Sequence, residues 1–230
     1  MNRFTTSHYL PVPAYQIRVW IVGVEPIVHR RFLLPSHSTF ADLHQIMQLA
    51  FGWSGRCLYR FNISGAAIGS PETFGGWTTD SAEITSLASY MLYEGQRFSY
   101  GYGIESSWRI EVRIERLCAL EDGQIPFRCL AGKRAAPLEQ CGGAAAFTRL
   151  QAVFTPAYVN ERMQAICTSL LTEKLWAPEW EAEIAEMQIE LEELRYWLKQ
   201  EQFCRRELNQ QLKQFGTHSI TGQPVRECVA

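Results

Sequence analysis

Apolar and polar residues alternate along two stretches of the chain, which predicts two long strands. Residues 15–24 begin with an apolar side chain at every second position, with Gln16, Arg18 and Trp20 on the opposite side. Residues 108–114 alternate in the same way, with arginine and glutamate filling the other positions. This pattern is typical of antiparallel strands with one face on a core and the other in water. Shorter strands are predicted at residues 30–34 and 57–64.

Helical periodicity and turn residues complete the first part of the chain. A helix is predicted from a cap at Ser38 or Thr39 to Ala50. Residues 65–79 are glycine-rich and predict a loop or short hairpin, and residues 100–103 predict a tight aromatic loop. Several strands around one helix indicate an α+β fold, an antiparallel sheet packed with one or more helices. The buried stripe of the helix is predicted to be Phe40, Leu43, Met47 and Ala50, with Ile46 beside it.

A heptad pattern runs through the last part of the chain. Apolar residues recur in alternating steps of four and three over residues 180–215, interrupted at Glu201 and Arg205. One helix of this length would span about 54 Å, and the period keeps one seam facing a partner helix. The sequence therefore predicts a long coiled-coil helix and a homodimer. The predicted seam is Trp180, Ile184, Met187, Leu191, Leu194, Leu198, Leu208, Leu212 and Phe215.

Charge along this segment favours an antiparallel dimer. Glutamates fill its first half, and lysines and arginines fill its second half. Antiparallel pairing places each acidic half against a basic half, whereas parallel pairing stacks like charges. The alternative is a hairpin within one chain, in which a predicted helix at residues 158–174 covers the first half and leaves the second half for a partner.

These patterns divide the chain into four parts. Residues 1–13 are predicted to be a flexible lead-in and residues 14–150 an α+β domain. Residues 151–216 are predicted to be a helical region with the long coiled-coil helix, and residues 217–230 a flexible tail.

Composition indicates a cytoplasmic protein without a membrane anchor. The 230 residues carry a formal net charge of −2, which gives no global electrostatic case for nucleic acid but leaves room for a local basic patch. The seven cysteines are scattered and odd in number, and no signal sequence opens the chain, so reduced thiols are expected. No apolar run approaches the roughly 20 residues that span a bilayer.

Candidate metal and catalytic residues are few. No Cys-x-x-Cys motif or close histidine pair is present, so neither a metal nor another cofactor is predicted. His44 is interpreted as a hydrogen-bonded structural residue, and Cys141 as part of a turn enforced by the two glycines that follow it. An enzyme would require His44, Glu105, Glu139 and Cys141 to converge in one pocket.

Adjacent arginines and nearby aromatic residues offer a surface for nucleic acid or another ligand. Arginine side chains bind phosphates, and aromatic rings stack on bases. The principal cations of this hypothesis are Arg30, Arg31, Lys133 and Arg134. The full candidate surface is Arg30, Arg31, His44, Trp53, Tyr100, Tyr102, Trp108, Lys133, Arg134 and Glu139.

Four motifs in order resemble one known family. They are residues 26–31 with Pro26 and His29-Arg30-Arg31, residues 39–53 ending in Gly52-Trp53, residues 100–108 with Tyr-Gly-Tyr-Gly and Trp108, and residues 129–143 with Cys-Leu-Ala-Gly and Pro-Leu-Glu-Gln-Cys-Gly-Gly. In this order they resemble the plasmid pRiA4b ORF-3-like proteins, also labelled as passenger proteins of insertion elements. The resemblance implies an α+β fold and a link to plasmids and transposable elements, without an assigned chemical activity.

The chain departs from the family pattern at its most polar positions. Glycine and isoleucine replace two aspartates at Gly101 and Ile104, Ile110 replaces a histidine, and Gln140 replaces an acidic residue. A metal site or proton transfer needs such lone-pair donors. The sequence therefore favours a non-enzymatic accessory or adaptor protein of a mobile element that self-associates through the coiled coil. A protein of that element is its candidate partner. The alternatives are a nucleic-acid-binding protein and an enzyme with an eroded polar site.

Overall fold

The computed structural model describes residues 11–69, 79–103, 108–121, 125–172 and 181–221. Within them lie five α-helices, eight strands and two short 3₁₀ turns. The strands are β1 (Val12–Ile21), β2 (His29–Pro35), β3 (Tyr59–Ile63), β4 (Ala66–Gly69), β5 (Asp80–Ser81), β6 (Arg97–Tyr102), β7 (Trp108–Leu120) and β8 (Arg128–Lys133). The helices are α1 (Phe40–Phe51), α2 (Ala144–Val153), α3 (Pro156–Thr172), α4 (Glu181–Leu198) and α5 (Arg205–Thr221), and the 3₁₀ turns are Leu87–Tyr90 and Glu139–Cys141.

All eight strands belong to one sheet, with the order β5-β4-β3-β6-β7-β1-β2-β8. Every neighbouring pair is antiparallel except β4 and β5, which are parallel. The predicted α+β class with an antiparallel sheet is confirmed.

The alternating patterns of β1 and β7 produce the two faces of this sheet. Tyr15, Ile17, Val19 and Ile21 of β1 are buried, and so are the apolar residues that alternate from Trp108 in β7. The two strands pair along most of their length, with a register shift between Gln16 and Ile17. One face of the sheet therefore lines the core, and the opposite face, called the outer face below, carries the polar residues.

Helix α1 begins and ends where local capping chemistry requires it. Thr39 and Asp42 form a capping box at its start, with hydrogen bonds of 3.0 and 2.9 Å. Gly52 ends the helix in the left-handed conformation, with φ of 68°. The predicted stripe from Phe40 to Ala50 is buried in the core.

Two local predictions need correction or extension. Residues 100–103 were expected to form a loop, but residues 100–102 belong to β6, because Tyr100 and Tyr102 alternate with small residues and pair with both β3 and β7. In residues 65–79, β4 does form a hairpin with β3, and residues 70–78 lie outside the described part of the chain.

The prediction of one long helix over residues 180–215 is wrong. Helix α4 ends at Leu198 and α5 begins at Arg205, with a turn between them near the two interruptions of the heptads. The cause is a tertiary contact, since the ring of Phe203 packs 3.9 Å from the Arg30 guanidinium. A Cβ atom at Gly132 would lie 2.3 Å from this ring, so the glycine makes room for it.

The apolar repeat serves two separate contacts inside one chain. Helix α4 packs on α3, where Arg162 and Glu190 form an ion pair of 2.7 Å, as the hairpin alternative predicted. Helix α5 packs on α1 and β8. A continuous seam for a partner helix is therefore absent from the described residues. Leu194, Leu208 and Leu212 are buried, Ile184, Met187, Leu191 and Phe215 are half-buried, Leu198 is 45% exposed, and Trp180 lies outside the described residues.

Helix α5 also covers the free edge of the sheet at β8. The Asn209 side chain accepts a hydrogen bond from the Cys129 backbone N–H at 2.7 Å and donates one to its carbonyl at 3.0 Å. Arg205 donates to the Leu130 carbonyl at 2.8 Å. These side chains occupy backbone groups that an edge strand otherwise offers to another chain.

No helix in the described ranges is both long enough and apolar enough to span a membrane.

Candidate functional site

One polar cluster, at the partly exposed margin of the core, centres on the Glu139 carboxylate. It accepts hydrogen bonds from the Ser54 backbone N–H at 2.5 Å, the Ser54 hydroxyl at 2.8 Å, the Tyr102 hydroxyl at 2.7 Å and the Cys57 thiol at 3.5 Å. Burial raises the pKa of Glu139, but these donors outweigh it and hold the pKa below its usual value. The four residues, called the Glu139 clasp below, tie residues 137–141 to the loop after α1.

Two indoles extend this attachment. The Trp53 ring nitrogen donates to the Pro137 carbonyl at 2.9 Å, and that of Trp108 donates to the Glu139 carbonyl at 3.2 Å. Trp53 stacks on Tyr102 with ring centroids 5.3 Å apart. The structure thus brings these four predicted site residues, Trp53, Tyr102, Trp108 and Glu139, together, but their polar groups are engaged with one another or with backbone.

His44 lies in a second polar cluster of the core. Its Nδ1 is 2.7 Å from the Tyr100 hydroxyl, which also accepts a hydrogen bond of 2.7 Å from the Gln48 amide. Either His44 Nδ1 or the Tyr100 hydroxyl donates in their shared hydrogen bond, according to the tautomer of His44. The His44 ring stacks on Tyr59 with centroids 3.7 Å apart, and burial lowers the pKa of His44 to about 3. His44 is therefore neutral at physiological pH and held as a structural residue.

The other residues of the enzyme hypothesis do not add a base or a nucleophile. Cys141 lies in the second 3₁₀ turn, and burial raises the pKa of its thiol, which disfavours the reactive thiolate. Glu105 lies outside the described residues. Within those residues, no group of three or more histidine, cysteine, aspartate or glutamate side chains is arranged to hold a metal ion.

Arg30 was predicted to contact a ligand, but it is only 2% exposed. Its guanidinium donates to the carbonyls of Ala50 at 3.2 Å, His29 at 2.8 Å and Lys133 at 3.0 Å. Burial lowers the pKa of Arg30 to about 10, so it keeps its charge at neutral pH. The strand alternation explains this, because Arg30 points into the core while Arg31 points to the outer face.

The outer face carries a row of four arginines on four adjacent strands. Arg97 of β6 lies opposite Arg113 of β7, Arg113 lies opposite Arg18 of β1, and Arg18 lies opposite Arg31 of β2. Neighbouring strands are about 4.8 Å apart, so this arginine row extends over roughly 14 Å. Like charges directly opposite one another destabilise a sheet, and the row repeats that arrangement three times.

Carboxylates of the described residues leave most of the charge in the arginine row without an ion-pair partner. Arg31 is paired with Glu115 at 2.5 Å, whereas Arg18, Arg97 and Arg113 form no ion pair with a carboxylate of the described residues. Arg97 and Arg113 are exposed. Glu111, also on this face, is paired with Arg109 at 3.0 Å. The outer face is thus electropositive in a chain whose net charge is −2.

The positive electrostatic potential of the outer face also affects His29. Burial lowers the pKa of His29, and the positive charges of Arg18, Arg30, Arg31 and Lys133 lower it further. Lys133 lies opposite His29 on β8 and is exposed, so it extends the positive charge towards the edge of the sheet.

Two depressions flank the arginine row. One, of about 450 Å³, is lined by Gln16, Arg31, Arg113, Glu115 and Arg116. The other, of about 250 Å³, is lined by Arg18, Trp20, Ile27, Arg97 and Arg113. In the second, the guanidiniums of Arg18 and Arg97 lie 5.9 and 5.7 Å from the centroid of the Trp20 ring. Cations and an aromatic ring therefore share one open surface.

The predicted ligand surface is thus divided between two environments. Six of its ten residues are buried, so they do not form an exposed face, because their strands and helix direct them into the core. Arg31 and Lys133 lie on the outer face, Glu139 is half-buried in its clasp, and Arg134 forms an ion pair with Glu201. The six buried residues are Arg30, His44, Trp53, Tyr100, Tyr102 and Trp108.

The sequence hypothesis missed Arg18, Trp20, Arg97 and Arg113. Their outward direction follows from the alternation of their strands. Their proximity does not, because it depends on the register of three strands, and the pairing of β1 with β7 joins residues far apart in sequence.

Comparisons with known proteins place this fold among relatives without an assigned activity. The uncharacterized protein y4hQ of Sinorhizobium fredii is 30% identical over 102 residues, which are 44% of this chain, and the chain spans about half of that relative, 53% of its length. The crystal structure of the protein of unknown function MM3350 from Methanosarcina mazei Go1 is similar with a TM-score of 0.59 and 26% identity, covering 74% of this chain and 93% of that one.

The family of plasmid pRiA4b ORF-3-like proteins matches residues 13–183. Apart from Val12, the first residue of β1, that range holds all eight strands of the described sheet together with helices α1 to α3. Because the match covers well over half of the chain, the protein belongs to the plasmid pRiA4b ORF-3-like family.

Proposed function

We propose that this protein binds nucleic acid through the outer face of its sheet. The observation that carries the proposal is the arginine row, Arg97, Arg113, Arg18 and Arg31, of which only Arg31 pairs with a carboxylate of the described residues. A chain gains nothing for its own folding from like charges placed opposite one another. An anionic ligand offsets that cost when it binds.

Charge spacing and composition favour a nucleic acid over a single small anion. The row extends over roughly 14 Å, which suits a polymer with several phosphates. Arginine side chains bind phosphates in two-pronged geometry, and Trp20 adds an aromatic surface beside them. A nucleic-acid-binding surface also suits an accessory role for a plasmid, the association that the family's description carries.

The interior does not favour an enzymatic role. The Glu139 carboxylate already accepts four hydrogen bonds, and His44 is neutral and buried. Within the described residues, the heptads offer no continuous free seam for self-association, because Leu194, Leu208 and Leu212 pack within the chain. The outer face is the surface whose chemistry is left unused by the fold.

The proposal is tested by reversing charge on the row and elsewhere. Arg97→Glu combined with Arg113→Glu changes two exposed side chains. Arg149→Glu combined with Arg206→Glu, at exposed positions of α2 and α5, is the matched control, called the Arg149 control below, because it changes the net charge equally. Fluorescence anisotropy with single-stranded and duplex 20-mers of DNA and RNA measures affinity. Loss or reversal of two phosphate contacts should weaken binding by about 100-fold or more at low salt, while the Arg149 control retains most of the affinity.

Absence of binding to every 20-mer at low salt would overturn the proposal. Equal losses for the row variant and the Arg149 control would also overturn it, since the effect would then follow net charge rather than the outer face. Thermal unfolding of each variant establishes that the affinities compare folded proteins.

A further inference from the structure

We infer that the depression around Trp20 receives an unpaired nucleobase, so that the protein prefers single-stranded nucleic acid to duplex. This inference rests on the proposed function and assigns its ligand class. The depression measures about 250 Å³ and is walled by Trp20 and Ile27, with Arg18, Arg97 and Arg113 completing its lining. It thus combines an apolar, aromatic wall with three cations.

The position of Trp20 in the sheet supplies the geometry. Trp20 lies opposite His29 on one side and Glu111 on the other, two positions along β1 from Arg18. It therefore occupies the next outward position to the arginine row. A single strand whose phosphates follow the row can place a base on this ring, because Trp20 lies roughly 7 Å from Arg18 along β1 and an unpaired base has no partner strand to hold it away.

The charges around the ring suit a base next to phosphates. The guanidiniums of Arg18 and Arg97 lie 5.9 and 5.7 Å from the Trp20 centroid, within the range of cation–π attraction. These contacts keep the Trp20 ring beside the arginines that would bind the phosphates of a nucleic acid. Stacking on such a ring is tolerant of sequence, since every base has a π-face.

The shape of the outer face disfavours reading a duplex. The major groove of B-DNA is about 12 Å wide and admits a helix or a two-stranded ribbon, whereas the arginine row spans four strands and roughly 14 Å. A duplex would then touch this face through phosphates alone, and Trp20 would find no exposed base. A single strand uses both the cations and the ring.

The test compares Trp20→Ala and Trp20→Phe with three 12-mers, a single strand, its duplex, and a single strand in which abasic sites replace the bases. DNA or RNA is used, whichever binds the unaltered protein more tightly. The unaltered protein should bind the single strand more tightly than the duplex or the abasic strand. Trp20→Ala should lose about 10-fold in single-strand affinity with little change for the duplex and the abasic strand. Trp20→Phe, which keeps an aromatic face, should retain most of the affinity.

Two results would overturn the inference. One is a duplex bound as tightly as the single strand by the unaltered protein, and the other is a Trp20→Ala variant that binds all three probes as before. If Arg97→Glu with Arg113→Glu still abolishes binding in these cases, the base site fails while the nucleic-acid-binding function stands. If the arginine variant also binds normally, the proposed function fails as well.

Discussion

The two faces of one sheet treat the same kinds of side chain in opposite ways. On the core face and in the loops that pack against it, the Arg30 guanidinium donates to three carbonyls and the Glu139 carboxylate accepts four hydrogen bonds. On the outer face, Arg18, Arg97 and Arg113 pair with no carboxylate of the described residues. Groups that the fold satisfies hold the fold together, whereas groups that it leaves unsatisfied are available for a ligand.

Adjacent residues make this contrast plain. Arg30 and Arg31 are neighbours on β2, and one is almost fully buried while the other reaches the outer face. Residue type alone therefore does not distinguish structural from ligand-binding arginines. The direction of the side chain and the number of its partners do.

The largest effect is expected for Arg30→Ala. The change leaves one buried and two part-buried carbonyls with fewer donors and removes the cation that packs on Phe203, so the free energy of unfolding should fall by about 3 kcal/mol. Urea denaturation measures it. Arg30→Lys keeps the positive charge but not the planar guanidinium with its several donors, so its free energy of unfolding should fall by less. A loss below about 1 kcal/mol for the alanine variant would show that these hydrogen bonds matter little.

The Glu139 clasp should give the next largest effect. Glu139→Ala removes a carboxylate that accepts four hydrogen bonds, so the free energy of unfolding should fall by about 2 kcal/mol at pH 7, an estimate reduced for the partial exposure of the group. Because the pKa of Glu139 is lowered in the folded protein, its contribution is complete above the ordinary value of 4.5 and is lost as pH falls through the lower folded-state pKa.

Measurements of unfolding against pH separate this contribution from others. Glu139→Gln should flatten the loss of stability in acid and leave nucleic-acid affinity unchanged at pH 7. If the variant loses stability in acid as the unaltered protein does, the Glu139 carboxylate does not contribute to stability as described.

Arg113→Thr should shift stability and binding in opposite directions. Threonine suits a strand and relieves repulsion from Arg18 and Arg97, so the free energy of unfolding should rise by about 0.2–1 kcal/mol. Affinity for a single strand should fall several-fold. Calorimetry and anisotropy on the same sample make the comparison, and a variant that loses both stability and affinity would contradict the idea that this arginine is kept for binding.

The smallest effect concerns His29. Its pKa is lowered by burial and by the surrounding cations, so folding is disfavoured as pH falls below the ordinary value of 6.5. A bound polyanion offsets those cations and raises the pKa of His29, so affinity should increase a few-fold from pH 8 to pH 6. His29→Gln should reduce this increase in affinity. If the variant's affinity depends on pH as that of the unaltered protein does, the bound polyanion does not change the pKa of His29.

Local sequence signals predict the elements whose causes are local. The alternation in β1 and β7, and the cap and stripe of α1, led to the observed strands and helix. The end of α4 could not be predicted in this way, because Phe203 turns the chain by packing on Arg30 and beside Gly132, both distant in sequence. The heptad repeat was regular, yet its two halves bury against different partners.

The same distinction applies to the candidate site. Each arginine of the row lies at an outward position that its own strand pattern indicates. Their alignment depends on pairing between strands separated by up to 95 residues in sequence, from Arg18 to Arg113. A single sequence carries no direct signal of that register, so the site emerges only from the assembled sheet.

The most direct test of the arginine row is the salt dependence of single-strand binding, compared between the unaltered protein and an Arg97→Gln, Arg113→Gln variant. Counterion release predicts a slope of log affinity against log salt of about −0.7 for each phosphate contact, so the variant's slope should be shallower by about 1.4. An affinity independent of salt, or equal slopes for the two proteins, would contradict binding of nucleic acid by the arginine row.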